Sequence, residues 1–157
     1  MKQQVTLSKF CIISTLLCLA LFVVCAFIMP GMWEEIAWGV FVVIMLIISL
    51  YYMPMSISAD ENAIYINRSL KIKSISMTEV KSAKLHTPSM STIRTCGSGG
   101  FMGYWGWFRE RGIGNYFAYY GQMKDCFLVE LKNGHKYLLG CKNAPKMVEY
   151  INKQLKK

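Results

Sequence analysis

Residues 10–29 carry no charged side chain, and beyond Glu34 and Glu35 a second uncharged run fills residues 36–53. Nothing else in the chain restricts its fold as much. As a helix rising about 1.5 Å per residue, the first run covers roughly 30 Å, the thickness of a bilayer's hydrocarbon core. Two helices that are apolar on every face could be a soluble core only inside a much larger protein, and 157 residues are too few to cover them. Pro30-Gly31 breaks the pattern between the runs, so the pair reads as a membrane hairpin. A cleaved signal peptide competes for the first run, with Lys2 and Lys9 as its basic flank. Its apolar region would span about 7–15 residues and end at small side chains. Here the run ends Ala26-Phe27-Ile28-Met29-Pro30, and Cys25 follows Val23-Val24 where a lipoprotein site needs small residues.

The ends of the hairpin carry rings expected at headgroup level: Trp33 and Trp38 near the turn, Tyr51 and Tyr52 at the far end. Lysine and arginine near the spans set orientation. The turn has none, whereas Lys2 and Lys9 precede the first span and Arg68, Lys71 and Lys73 follow the second. Both ends of the hairpin are therefore expected in the cytoplasm. The chain divides into residues 1–9 as a cytoplasmic N-terminus, 10–53 as the spans (10–29 and 36–53), and 54–157 as a cytoplasmic domain. Cysteine usage fits a reducing compartment: Cys11, Cys18 and Cys25 lie in the first span, and Cys96, Cys126 and Cys141 form neither a disulfide framework nor a metal-binding pair.

From Pro54 the pattern alternates. Residues 55–58, 64–66, 71–75 and 80–86 read as short strands, with a turn at Asp60-Glu61-Asn62 and a single helical turn opened by a Ser76-x-x-Glu79 capping box. Further on, Phe127, Val129 and Leu131 alternate before Asn133-Gly134, and Tyr137, Leu139 and Cys141 alternate after it. This predicts a β-hairpin closed by a two-residue type I′ turn. Asn143 is placed to cap a last helix with Pro145 in its first turn. Ala144, Met147, Val148, Ile151 and Leu155 form one apolar stripe of that helix, opposite Lys146, Glu149, Lys153 and Lys156.

Residues 94–121 stand apart, with eight of the twelve glycines and nine aromatics. A dinucleotide-binding loop is excluded because Met102 breaks the Gly-x-Gly-x-x-Gly spacing and no Gly-Lys-Ser/Thr is present. Two readings stand. Phe101, Trp105, Trp107 and Phe108, flanked by Arg109 and Arg111, contact a partner or the lipid headgroups; or the rings complete the domain's own small core.

Three stretches, Ile57-Ser58-x-Asp60-Glu61-Asn62-x-Ile64, Ile75-Ser76-Met77-Thr78-Glu79-Val80, and residues 94–106 with 117–121, resemble the bacterial pleckstrin-homology-like proteins of membranes. The resemblance covers about a hundred residues. It implies a partly open antiparallel barrel capped by a C-terminal helix; with the hairpin and orientation read above, the expected fold is an α-helical membrane hairpin followed by an α+β, mainly antiparallel β, domain, in the inner (cytoplasmic) membrane. It implies no catalytic residues and no cofactor, and the basic phosphoinositide motif of some eukaryotic relatives is not recognisable.

Catalysis needs convergent polar groups, and His86 and His135 have no nucleophile or acid at useful spacing. No metal ligand set is evident. Residues 54–157 hold 16 basic and 7 acidic residues. The basic residues are dispersed, so nucleic acid is not the expected partner, and an anionic leaflet accounts for them more simply. The expectation is a non-catalytic module, anchored in the bilayer, that binds or organises a protein partner, a second copy or the membrane surface. The alternative is an accessory subunit whose spans carry the essential interaction in a membrane complex.

Overall fold

The computed structural model describes residues 1–28, 31–89 and 91–156; Met29, the Pro30 break and Lys157 lie outside them. The uncharged runs form α1 (Lys9–Ile28) and α2 (Met32–Tyr52), each long and apolar enough to cross a membrane. α2 begins before its uncharged run, because Glu34 and Glu35 occupy its first turn, where carboxylates meet the positive end of the helix dipole. Both helices expose their large apolar side chains, Leu17 and Phe27 among them. They touch through Trp38, whose Nε1 donates to the Phe22 carbonyl at 3.0 Å while its ring meets Phe22 edge-on. Trp38 is thus a helix-pairing residue; Trp33, in the first turn, is the ring left exposed.

After α2 come β2 (Pro54–Ala59), β3 (Ala63–Arg68) and β4 (Ile72–Ser76), joined in an antiparallel meander. Asp60 makes the first reversal, its Oδ1 accepting from the backbone N–H groups of Asn62 and Ala63 at 2.9 and 2.7 Å. The fourth strand of this sheet lies ahead of α1: β1 (Lys2–Gln4) pairs antiparallel with β2, Gln3 opposite Ile57. The segment read from the sequence as a separate N-terminus is therefore woven into the domain. Val5, Ser8 and Gln4 add backbone bonds to Met55, Gly121 and Lys142.

A single 3-10 turn at Met77–Glu79 leads to β5 (Val80–Leu85). The turn is where the sequence placed it, but the capping box does not form: Ser76 Oγ bonds Thr78 Oγ1 at 2.8 Å and caps nothing. β6 (Ile93–Gly100), β7 (Gly103–Glu110), β8 (Gly114–Tyr120), β9 (Cys126–Leu131) and β10 (Lys136–Gly140) complete the second sheet in the order β5-β9-β10-β8-β7-β6. The glycine- and aromatic-rich segment is thus an antiparallel meander of β6, β7 and β8. It is joined to the rest by one parallel pairing, β8 with β10, Ala118 opposite Leu138.

The β9–β10 hairpin has its expected faces but a different turn. Gly134 N–H bonds the Leu131 carbonyl and Leu131 N–H bonds the His135 carbonyl, which leaves a three-residue loop. Gly134 has φ of 85° and Asn133 is not among the positive-φ residues, so a type I turn closed by a left-handed glycine replaces type I′. An outside contact explains the longer loop, since Lys132 N–H is held by the Glu79 carbonyl.

α3 (Ala144–Leu155) lies across β5, with Asn152 Nδ2 donating to the Ala83 carbonyl at 3.1 Å. Asn143 stands at the helix N-cap position without a side-chain capping bond; its amide reaches Gln3 instead. Ile57, Ile64, Ile66, Phe127, Val129, Leu139, Met147 and Ile151 are fully buried between the two sheets and α3. Each of these side chains contributes on the order of 1.5–3 kcal/mol of apolar burial. The two sheets do not close into one, and the result is a partly open barrel capped by the terminal helix.

Candidate functional site

The aromatic meander has both of its faces covered over much of their length, which decides where each sequence-selected residue goes. Trp105, on the inner face of β7, is 7% exposed and stacks on Tyr52 of α2, centroids 5.2 Å apart at 11°. Phe108, on the other face, is 4% exposed and packs on Tyr116 and Tyr120. Trp107 shares the inner face with Trp105 but lies farther along it, 44% exposed, edge-on to Phe117. Arg109 and Arg111 are exposed beside it, and Phe101 is half-buried at the β6–β7 turn. The two buried rings belong to the core, and Trp107, Arg109 and Arg111 form an outward edge.

Two cations that the sequence reading used only for orientation stand beside that edge. Arg68, the last residue of β3, has its guanidinium carbon 4.7 Å from the Tyr51 ring centre and 5.9 Å from that of Tyr119. It also donates to the Tyr119 hydroxyl at 3.4 Å. Lys73 of β4 is paired with Ile66 and so points to the same face. Its Nζ donates to the Tyr137 hydroxyl at 2.9 Å and lies 4.5 Å from that ring's centre. Among the described residues neither cation has a carboxylate at ion-pair distance. Their charges are held by ring quadrupoles and hydroxyls, which leaves both able to attract an anion. Spacing alone could not have found this wall, because its rings come from α2, β8 and β10. Burial pushes the Tyr119 hydroxyl up to about 12, against the pull of Arg68, so it stays protonated and can donate.

On the opposite face, Pro88 and Ser89 of the strap formed by residues 86–89 border a cleft with Tyr104, Phe108 and Tyr120. Glu110, 5% exposed, holds this segment: its Oε2 lies 3.1 Å from His86 Nε2 and its Oε1 accepts from Ser89 N–H at 3.2 Å. Burial alone would raise the Glu110 carboxyl, but the bonds from His86 and Ser89 outweigh it and hold the group below its ordinary value. The cleft has a volume of about 370 Å³ and is lined by Pro88, Thr92, Arg94, Tyr104, Phe108 and Met123.

The second histidine is exposed at the β9–β10 loop, far in the chain from the Glu110 pair. No group of three His, Cys, Asp or Glu side chains is placed to hold a metal among the described residues. All six cysteines are free, and burial pushes the Cys141 thiol up to about 11.

Comparison with known proteins agrees with the architecture. A family model described as "Bacterial PH domain" matches residues 55–155, from the start of β2 to the end of α3. No curated protein and no solved structure matches the chain.

Proposed function

We propose that this chain, which belongs to the bacterial PH domain family, is a membrane-anchored, non-catalytic binding module whose helix hairpin crosses the bilayer and fixes the domain against its cytoplasmic face. One observation carries the reading: the domain is fastened to both ends of the hairpin. β1, ahead of α1, and β2, directly after α2, are neighbours in one sheet, and Tyr52 of the last turn of α2 stacks on Trp105. Such a joint leaves little freedom between domain and helices, so the surface that meets the bilayer or a membrane-borne partner is set by the fold. That surface is the wall of Arg68 and Lys73 with the edge formed by Trp107, Arg109 and Arg111. Cations at the end of a span lie within reach of anionic headgroups, at about 1 kcal/mol each, and an exposed tryptophan beside arginine is the usual anchor of a protein contact.

A photo-crosslinking side chain in place of Trp107, in the full-length protein in cells, tests this against the same group in place of Lys153 on the far side of α3. Adducts at Trp107 and none at Lys153 are expected; discrete protein bands identify a partner, and lipid adducts identify the membrane surface. Adducts confined to a probe at Leu17, in α1, would transfer the function to the spans and make the chain an accessory subunit.

A further inference from the structure

The β6–β7 turn, residues 100–103, packs against α1 well beyond that helix's first residue. Met102 N–H donates to Thr15 Oγ1 at 2.9 Å, and the Phe101 ring lies 6.2 Å from that of Phe22. Thr15 is six residues beyond Lys9, about 9 Å along the axis, and Phe22 is about 20 Å along it. Close approach is built in. A Cβ on Gly100 would lie 3.0 Å from the Phe10 ring, and one on Gly103 would lie 3.4 Å from Leu7 Cδ2.

Two of the turn's backbone polar groups are satisfied by side chains: Met102 N–H by Thr15, and the Phe101 carbonyl by Ser98 Oγ at 2.7 Å. Thr15 in turn donates to the Cys11 carbonyl at 2.7 Å. A turn in water has no need of such partners, whereas in hydrocarbon an unsatisfied backbone group has no water to bond and is strongly unfavourable. The hairpin is also free of charge from Thr95 to Phe108, fourteen residues between Arg94 and Arg109. The exposed members of that stretch, Thr95, Cys96, Gly97 and Trp107, are small or apolar.

We infer that the tip of this turn, the half-buried Phe101 and Met102, is re-entrant, lying below the headgroups in the acyl-chain zone of the leaflet on the domain's side and against lipid. The inference rests on the reading that α1 crosses the bilayer, because the depth of the turn is measured along that helix. Its consequence is a second anchor: the domain is held by the hairpin and also by its own β6–β7 turn, so its tilt against the membrane is fixed. Gly103 lies against Leu7 and Pro54, just outside the two spans, and the Arg94 guanidinium reaches Gly99, so these residues mark the level at which the ribbon leaves the hydrocarbon.

The test uses full-length protein in phosphatidylcholine vesicles, with a polarity-sensitive fluorophore on single cysteines introduced as Phe101→Cys, Leu17→Cys and Arg111→Cys. The native cysteines are replaced by alanine. If that background misfolds, only Cys18, Cys25 and Cys96 are replaced, the three that are not buried. Quenching by nitroxides placed mid-chain on the lipid is compared with quenching by headgroup nitroxides. We expect mid-chain quenching to exceed headgroup quenching severalfold at positions 17 and 101, and the reverse at position 111. Mid-chain quenching at 17 together with a water-exposed signal at 101 overturns the re-entrant turn and leaves the spanning helix intact. Absence of mid-chain quenching at 17 overturns the spanning reading, and the depth of the turn with it.

Discussion

Trp105 and Trp107 stand two residues apart on the same face of one strand, yet they have different fates. The ring of Tyr52 closes over the first, beside its cross-strand neighbour Tyr119, while the second reaches the open edge of the barrel. Replacing Trp105 by alanine is expected to destabilise the protein by about 3–5 kcal/mol, as for other buried aromatics. Trp107→Ala should cost less than about 1 kcal/mol. Thermal unfolding of the detergent-solubilised chain measures both, and equal losses would contradict the division. Alternation alone could not separate these residues, because both positions satisfy it and the difference lies in what other elements place above them. Glu110 supplies a pH-dependent prediction. Its carboxyl is held below its ordinary value of 4.5 in the fold, so its contribution is fully present above that pH and is lost as pH falls through the lowered value. The acid limb of the stability profile should therefore be shallower in Glu110→Gln, and an unchanged limb would mean that the strap is not held by this carboxylate.

Among the elements, α3 and the β9–β10 hairpin were legible because their patterns are local. A helical stripe and two alternating runs need no knowledge of the rest of the chain. Ile151 is fully buried and Lys153 exposed, so Ile151→Asp should abolish the cooperative transition, while Lys153→Asp should shift stability by no more than about 0.5 kcal/mol. The turn of the hairpin was misread because Asn-Gly favours type I′ only where nothing else engages the loop, and here the Glu79 carbonyl captures Lys132. The left-handed Gly134 has open space around its Cα, so Gly134→Ala isolates the backbone term and should cost about 1 kcal/mol in the same unfolding assay. A negligible cost would argue against the left-handed geometry. The capping box fails for a related reason: the Ser76 hydroxyl is engaged by Thr78 Oγ1, and the Met77 N–H is taken by the Asn62 carbonyl.

At the scale of the whole molecule, the two helices and the sheet-and-helix layout could be read in the sequence, because hydrophobic runs and period changes are visible along one dimension. The long-range joints could not. β1 is three polar residues with no strand signal, and it becomes a strand only because the edge of β2 is there to receive it. The pairing of β8 with β10, and the contact of residues 100–103 with α1, likewise depend on partners distant in the chain. β1 and the contact of residues 100–103 with α1 hold the domain to the helix hairpin, and its position at a membrane follows from that hairpin crossing the bilayer. Cysteine accessibility in intact cells measures it most directly. Cys126 and Cys141 are buried and cannot report, so the reporters are His135→Cys at the β9–β10 loop and Glu35→Cys in the first turn of α2. A membrane-impermeant thiol reagent is expected to label position 35 before lysis and position 135 only after it. Labelling of both positions from outside, or of position 135 alone, would contradict a two-span anchor with a cytoplasmic domain.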